Sequence, residues 1–228
     1  LASGATRRAT SDPGYNQQPA WLPDGRGILY VNESGLKRLM LDGSAPPVMI
    51  TNKIPVSDTT IVTPDGRFAV APISIATPGV SVWAFALAPP FTATQLFSGP
   101  GNQFVSHLSP DGRWLLWGIV DGARQETHLV RLMTDGDKPR LGTQRIPVTL
   151  GGGKPIGWRR DGREVFYIDK NRAVTAMPVT LQAESAILGT PTTLFTLPQD
   201  SDQVSAAAAV TADGSRFLVS ETPFAKGQ

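Results

Sequence analysis

Cysteine is absent from the 228 residues. That excludes disulfides, thiolate nucleophiles and cysteine-ligated zinc, and it suits either cytoplasm or periplasm. Histidine occurs only as His107 and His128, too few for a three-histidine metal centre. Long apolar runs are also missing. The longest, "SVWAFALAPPF" (81–91), holds two prolines and falls far short of the ~20 residues that cross a bilayer, so no membrane insertion by this segment is expected. Residues 1–20 are polar and carry no export signal, which is expected to have been removed or to lie upstream. Charge of one sign is scarce: 21 basic residues face 19 acidic ones, and arginines stand side by side only at Arg7-Arg8 and Arg159-Arg160. Nucleic-acid binding needs a basic stripe interleaved with aromatics, so no nucleic-acid partner is expected.

What is present is turn chemistry and short apolar segments. With 23 glycines, 20 prolines and 40% hydrophobic residues, the chain suits many short strands joined by tight turns around a substantial core. No segment shows a sustained apolar period of 3.6 residues, so helix is expected to be nearly absent.

Five segments align on Asp-Gly: "PAWLPDGRGILYV" (19–31), "TIVTPDGRFAVAP" (60–72), "SHLSPDGRWLLWG" (106–118), "IGWRRDGREVFYI" (156–168) and "AAVTADGSRFLVS" (208–220). The turn pairs are Asp24-Gly25, Asp65-Gly66, Asp111-Gly112, Asp161-Gly162 and Asp213-Gly214, spaced 41, 46, 50 and 52 residues apart. Pro23, Pro64 and Pro110 precede three of them. Proline pre-sets φ for the first corner of a type I turn, and aspartate suits the second. Glycine then takes the positive-φ position. The aspartate can also accept hydrogen bonds from N–H groups just downstream and lock the turn.

The fourth, fifth and sixth residues after each aspartate are apolar in every unit, as is the residue three before it. That pattern predicts strands buried on both faces. A strand-built period of 40 to 50 residues marks an all-β fold, a β-propeller of four-stranded blades. The units are expected around 11–51, 52–98, 99–150, 151–198 and 199–228, in one domain over 1–228.

"PAWLPDGRGILYV" with "LMLDGSAPPVMIT" resembles the bacterial WD40-like, or TolB-type, propeller repeat. "GGGKPIGWRRDGREVFYIDKNRAVTAMPV", "LGTPTTLF" and "VTADGSRFLV" look like the terminal blades of propellers C-terminal to bacterial serine/threonine kinase domains. That resemblance implies a kinase-associated sensory or protein-binding module outside the membrane, extracytoplasmic or periplasmic. Arg159-Arg160 and Thr211-Ala212 replace the Ser-Pro of the general repeat and are expected to loosen their turns. "LASGATRRAT" parallels an outer-strand segment, so residues 1–10 are expected to supply an outer strand of another blade. The ring then either closes with five blades or, as we favour, forms part of a propeller of six or more.

Candidate chemistry is sparse. His107 reads as a structural imidazole, and His128 as a surface residue. "GVSVW" (79–83) approaches a serine elbow at Ser81, but Trp83 replaces the last glycine and no strand–helix unit follows. "SPDGRW" (109–114) lacks one residue of a sialidase-type Asp box. "LGGGKP" (150–155) lacks the phosphate-loop spacing, so Lys154 reads as part of an interblade turn. "QDSDQ" (199–203) is too sparse for calcium, and "NES" (32–34) is a chance glycosylation match. No catalytic residue, metal or cofactor is expected. Arg26, Arg67, Arg113 and Arg163 each follow an Asp-Gly and are expected to ring one face. They read chiefly as soluble turn residues; as ligand residues they would receive an acidic segment of a partner. The leading reading is a monomeric, non-catalytic module that binds a protein or peptide. The alternatives are the substrate-gating propeller of a prolyl-oligopeptidase-like hydrolase and a TolB-like envelope protein that docks a lipoprotein.

Overall fold

The computed structural model describes residues 6–53, 60–74, 80–99, 102–121, 124–136, 138–149, 151–197 and 208–219. Among them there is no helix. The first sheet is β1 (Gln17–Trp21), β2 (Gly27–Asn32), β3 (Gly35–Met40) and β4 (Val48–Thr51). The second is β5 (Ile61–Val62), β6 (Phe68–Ser74), β7 (Val80–Ala86) and β8 (Ala93–Phe97). The third is β9 (Asn102–Leu108), β10 (Trp114–Asp121), β11 (Arg124–Met133) and β12 (Arg140–Pro147). In each, strands consecutive in sequence pair antiparallel.

The fourth sheet begins β13 (Gly153–Trp158), β14 (Glu164–Asp169) and β15 (Ala173–Leu181). Its outer strand is divided into β16 (Ala186–Leu188) and β17 (Thr192–Thr196), which pair with opposite ends of β15. The last sheet, β18 (Ala208–Val210) and β19 (Phe217–Val219), has two strands among the described residues. The first strands of successive sheets touch one another, β1 to β5, β5 to β9, β9 to β13 and β13 to β18. They therefore lie at the centre, with the later strands of each sheet outside them.

The core lies between sheets, and strand alternation decides which neighbour each residue meets. Counting from each turn aspartate, the fourth and sixth residues face the preceding sheet and the fifth faces the following one. Thus Ala69 and Ala71 pack with Leu29 of the sheet before, while Val70 packs with Leu115 of the sheet after. Leu116 meets Val165 and Tyr167, and Phe166 meets Phe217 and Val219. The residue three before each aspartate stands opposite the fourth after it, as in Val62 with Ala69 and Trp158 with Val165. It joins the backward face.

The expectation of burial on both faces therefore needs two corrections. Leu218, a forward residue, is 73% exposed because no sheet of the described residues follows it. Trp21, a backward residue with no sheet before it, is 65% exposed. Residues 6–16 form no strand; residues 1–5 lie outside the described part, as does the "QDSDQ" loop.

Candidate functional site

The five Asp-Gly turns share one geometry. In each, the glycine N–H donates to the carbonyl three residues back at 2.8–2.9 Å, and the glycine φ lies between +68° and +75°. The aspartate Oδ1 accepts the N–H two residues on, at 2.9 Å for Arg26, 3.0 Å for Arg67, Arg163 and Ser215, and 3.1 Å for Arg113. Sequence reasoning missed one member of the set. In three units the hydroxyl two residues before the aspartate donates to that carboxylate: Thr63 at 2.6 Å, Ser109 at 2.6 Å, and Thr211. The same oxygens accept the N–H groups of Phe68, Trp114 and Arg216, tying each turn to the strand it starts. The signal was present, because a serine or threonine recurs two places before Asp-Gly in the aligned segments.

The fourth turn reaches the same end differently. Arg159 donates from Nε and Nη2 to Asp161 at 2.8 and 2.9 Å, and from Nη1 to Glu164 at 2.8 Å. This bidentate fork replaces the hydroxyl, so Arg159-Arg160 does not loosen the turn. Thr211 likewise keeps the fifth turn tied. The guanidinium holds Asp161 down to about 2, the Arg163 N–H adding to the effect. Hydrogen bonds from Thr211 and Ser215 hold Asp213 lower still. At Asp111 partial burial works upward, but bonds from Ser109 and Arg113 outweigh it and the carboxyl lies below its ordinary value.

Successive turns approach one another on one face. A Cβ on Gly112 would stand 2.8 Å from the Pro64 ring, and one on Gly162 would stand 3.8 Å from Pro110. The Arg160 N–H donates to the Ala212 carbonyl at 2.8 Å, linking the fourth and fifth turns. Two clefts open between neighbouring turns. One, of about 700 Å³, is lined by Pro23, Asp24, Arg38, Met40, Pro64 and Asp65. The other, of about 850 Å³, lies between the third and fourth turns; its lining includes Pro110, Arg113, Arg163, Pro178, Val179 and Leu181.

The four turn arginines do not form a uniform positive ring. Each sits beside a turn aspartate, so the turns add little net charge. Arg113 pairs with Asp111 at 2.9 Å, and Arg26 lies 3.6 Å from Asp42. Arg67 donates to the carbonyls of Thr134 and Gly136 at 2.9 and 3.2 Å, bridging to the third sheet. The exposed Arg163 lines the larger cleft.

The other candidates are dispersed. Ser81 is fully buried in β7 and accepts from the Trp83 indole at 2.7 Å, a strand position and not a nucleophile's turn. His107 lies in β9 beside Gly157, and burial pulls its imidazole down to about 4. His128 was expected at the surface but its side chain is only 16% exposed, because β12 pairs alongside it at Pro147. Lys154 lies inside β13 opposite Ile168, so the turn is confined to the residues before Gly153. Asn32 is buried and donates to Asp12, which leaves the "NES" amide unavailable for modification. Among the described residues no cluster of three metal-ligating side chains occurs.

No protein-family model matches the chain, and no curated protein matches it. Solved structures do. TolB from Acinetobacter baumannii superposes with a TM-score of 0.61 at 15% identity over 92% of this chain and 49% of its own. The Swd1 β-propeller domain from Myceliophteria thermophila gives 0.62 at 14% identity over 96% and 70%. A protein provisionally named a 6-phosphogluconolactonase, from Bacteroides uniformis, gives 0.57 at 14% identity over 89% and 63%. The chain thus spans between half and seven-tenths of these proteins. The fold is a β-propeller of antiparallel four-stranded sheets.

Proposed function

We propose that this propeller is a non-catalytic interaction module of a larger bacterial protein, outside the cytoplasm, and that its turn-bearing face binds a peptide segment of a partner. The observation that carries this reading is the cleft between the third and fourth turns. It sets the exposed Arg163 guanidinium beside Pro110, Pro178 and Leu181. An extended peptide with a carboxylate next to an apolar side chain matches that pairing of chemistry. Arg113 flanks the same cleft, and Arg26 and Arg67 continue the face around the ring. The non-catalytic reading is supported by the separate placement of His107, His128 and the buried Ser81. Kinase-associated sensing and TolB-like docking of a lipoprotein both belong to this class of role.

Fluorescence polarisation with labelled hexapeptides carrying glutamate beside leucine tests the reading. Arg163→Glu is expected to weaken the best binder about tenfold or more, as loss of one charge-assisted contact implies. Arg26→Glu, on a turn outside this cleft, is expected to change it little. Equal binding by wild type and Arg163→Glu, or hydrolysis of the peptides by the wild type, would overturn it.

A further inference from the structure

In the first four sheets the third strand ends its pairing beside the Asp-Gly turn in the same way. Leu41, Leu87, Leu132 and Val179 donate to the carbonyls of Arg26, Arg67, Arg113 and Arg163 at 2.8–2.9 Å. In the first two sheets the strand stops just short of that bond, β3 at Met40 and β7 at Ala86. In the later two it runs on, β11 one residue past Leu132 and β15 two residues past Val179. Main-chain groups of an antiparallel strand point alternately to its two neighbours. Pro178 accepts from Gly189 at 2.9 Å and Gln182 donates to Ser185 at 2.8 Å, both on the outer side of β15. The N–H and C=O of Leu181 therefore point to the opposite side, beyond the last residue of β14. That is the side of the cleft that Thr180 and Leu181 line, and among the described residues neither group meets a partner there.

The third sheet shows what this position takes. Thr134, two residues after Leu132, is the counterpart of Leu181, and its carbonyl accepts Arg67 Nη1 at 2.9 Å from the preceding turn. Arg113 holds the place of Arg67 for the fourth sheet. It is turned instead onto its own aspartate, with Nε and Nη2 each 2.9 Å from Asp111 Oδ2. The donor that the third sheet receives is thus withheld from the fourth.

We propose that Leu181 is the main-chain anchor of the peptide cleft. One residue of the bound segment exchanges two main-chain hydrogen bonds with Leu181, and an acidic side chain beside it reaches the exposed Arg163. The proposal rests on the peptide-binding reading of this cleft and adds how the segment is gripped. The peptide N–H supplies to Leu181 what Arg67 supplies to Thr134, and the peptide carbonyl takes the Leu181 N–H. Main-chain pairing gives affinity without regard to sequence, so selectivity falls to Arg163 and to the apolar wall of Pro110 and Pro178. Proline is excluded from the anchored position, because it has no N–H to donate.

The test takes the best-binding hexapeptide with glutamate beside leucine and methylates its backbone nitrogens one at a time. Fluorescence polarisation with the wild-type chain is expected to show one position where the methyl group weakens binding about tenfold, the others changing it little. Leu181→Pro removes the N–H of the anchor and is expected to weaken the unmethylated peptide to a similar extent. Leu181→Ala keeps both main-chain groups and is expected to weaken it less. Binding that depends on Arg163 but is indifferent to every methylation would overturn the anchor and leave the cleft reading standing. Undiminished binding by a folded Leu181→Pro would do the same. Failure of every such hexapeptide to bind would overturn both. The methylation series uses the unaltered protein, so it decides the matter where Leu181→Pro does not fold.

Discussion

The five turn aspartates do one job with two kinds of supporting partner, a hydroxyl at Thr63, Ser109 and Thr211 and a guanidinium at Arg159, while the first turn has Leu22 at that place. Asp-Gly was readable because glycine enters positive φ cheaply and an aspartate carboxylate reaches the N–H two residues on. The hydroxyl was readable only from its recurrence across the aligned units, since one serine or threonine before a turn resembles any other turn residue. His107 carries the consequence testable at this scale. Burial holds its imidazole at about 4 against an ordinary 6.5. The unfolded chain therefore takes up a proton between these values and the folded chain does not. The stability His107 lends is complete above pH 6.5 and declines as pH falls toward 4. A shift of this size is worth about 3 kcal/mol. Urea denaturation at pH 7.5, 5.5 and 4 is expected to show the decline, and His107→Gln is expected to reduce it. His128, whose imidazole burial also depresses, accounts for part of what remains.

At the scale of the element, the strands follow the aligned segments closely, because three successive apolar residues after a turn leave little choice but a buried strand. What escaped was the split of the outer strand into β16 and β17, since Gly189 and Pro191 between them read only as loop residues. The close contacts inside ladders escaped as well. In the third sheet Gly118 stands opposite Phe104, whose ring lies over the glycine: a Cβ there would fall 1.7 Å from Cζ. An aromatic ring covering a strand glycine compensates for the missing side chain. Gly118→Ala must displace that ring, and overpacking of this kind costs about 1–3 kcal/mol. Chemical denaturation of the variant is expected to show a lower midpoint at unchanged m. Full stability would mean that the Phe104 ring moves aside freely.

The whole molecule is ordered by the alternation of backward and forward residues. Three successive apolar residues after each turn implied two buried faces per strand, but not which neighbour each face meets. That follows only from the order of sheets, which is why Trp21 and Leu218 were expected inside. A pair of substitutions checks the rule. Phe166, a forward residue with a following sheet, is 2% exposed, and Phe166→Ala is expected to cost about 3–5 kcal/mol. Leu218 holds the same place in its unit, and Leu218→Glu is expected to change stability by less than about 0.5 kcal/mol. Comparable losses in thermal denaturation would show that Leu218 is buried in solution.

The pairing of sequence neighbours also bears on how the chain reaches this form. Apart from the divided edge of the fourth sheet, every ladder among the described residues joins strands that follow one another directly. Each sheet can therefore close by a succession of short hairpins with small loop entropies. Junctions between sheets then add one at a time, each needing only the next stretch of chain. Assembly of this kind resembles accretion along a line more than the single long-range search of a β-sandwich. An unfinished intermediate would expose one forward face, and the next sheet to form would cover it.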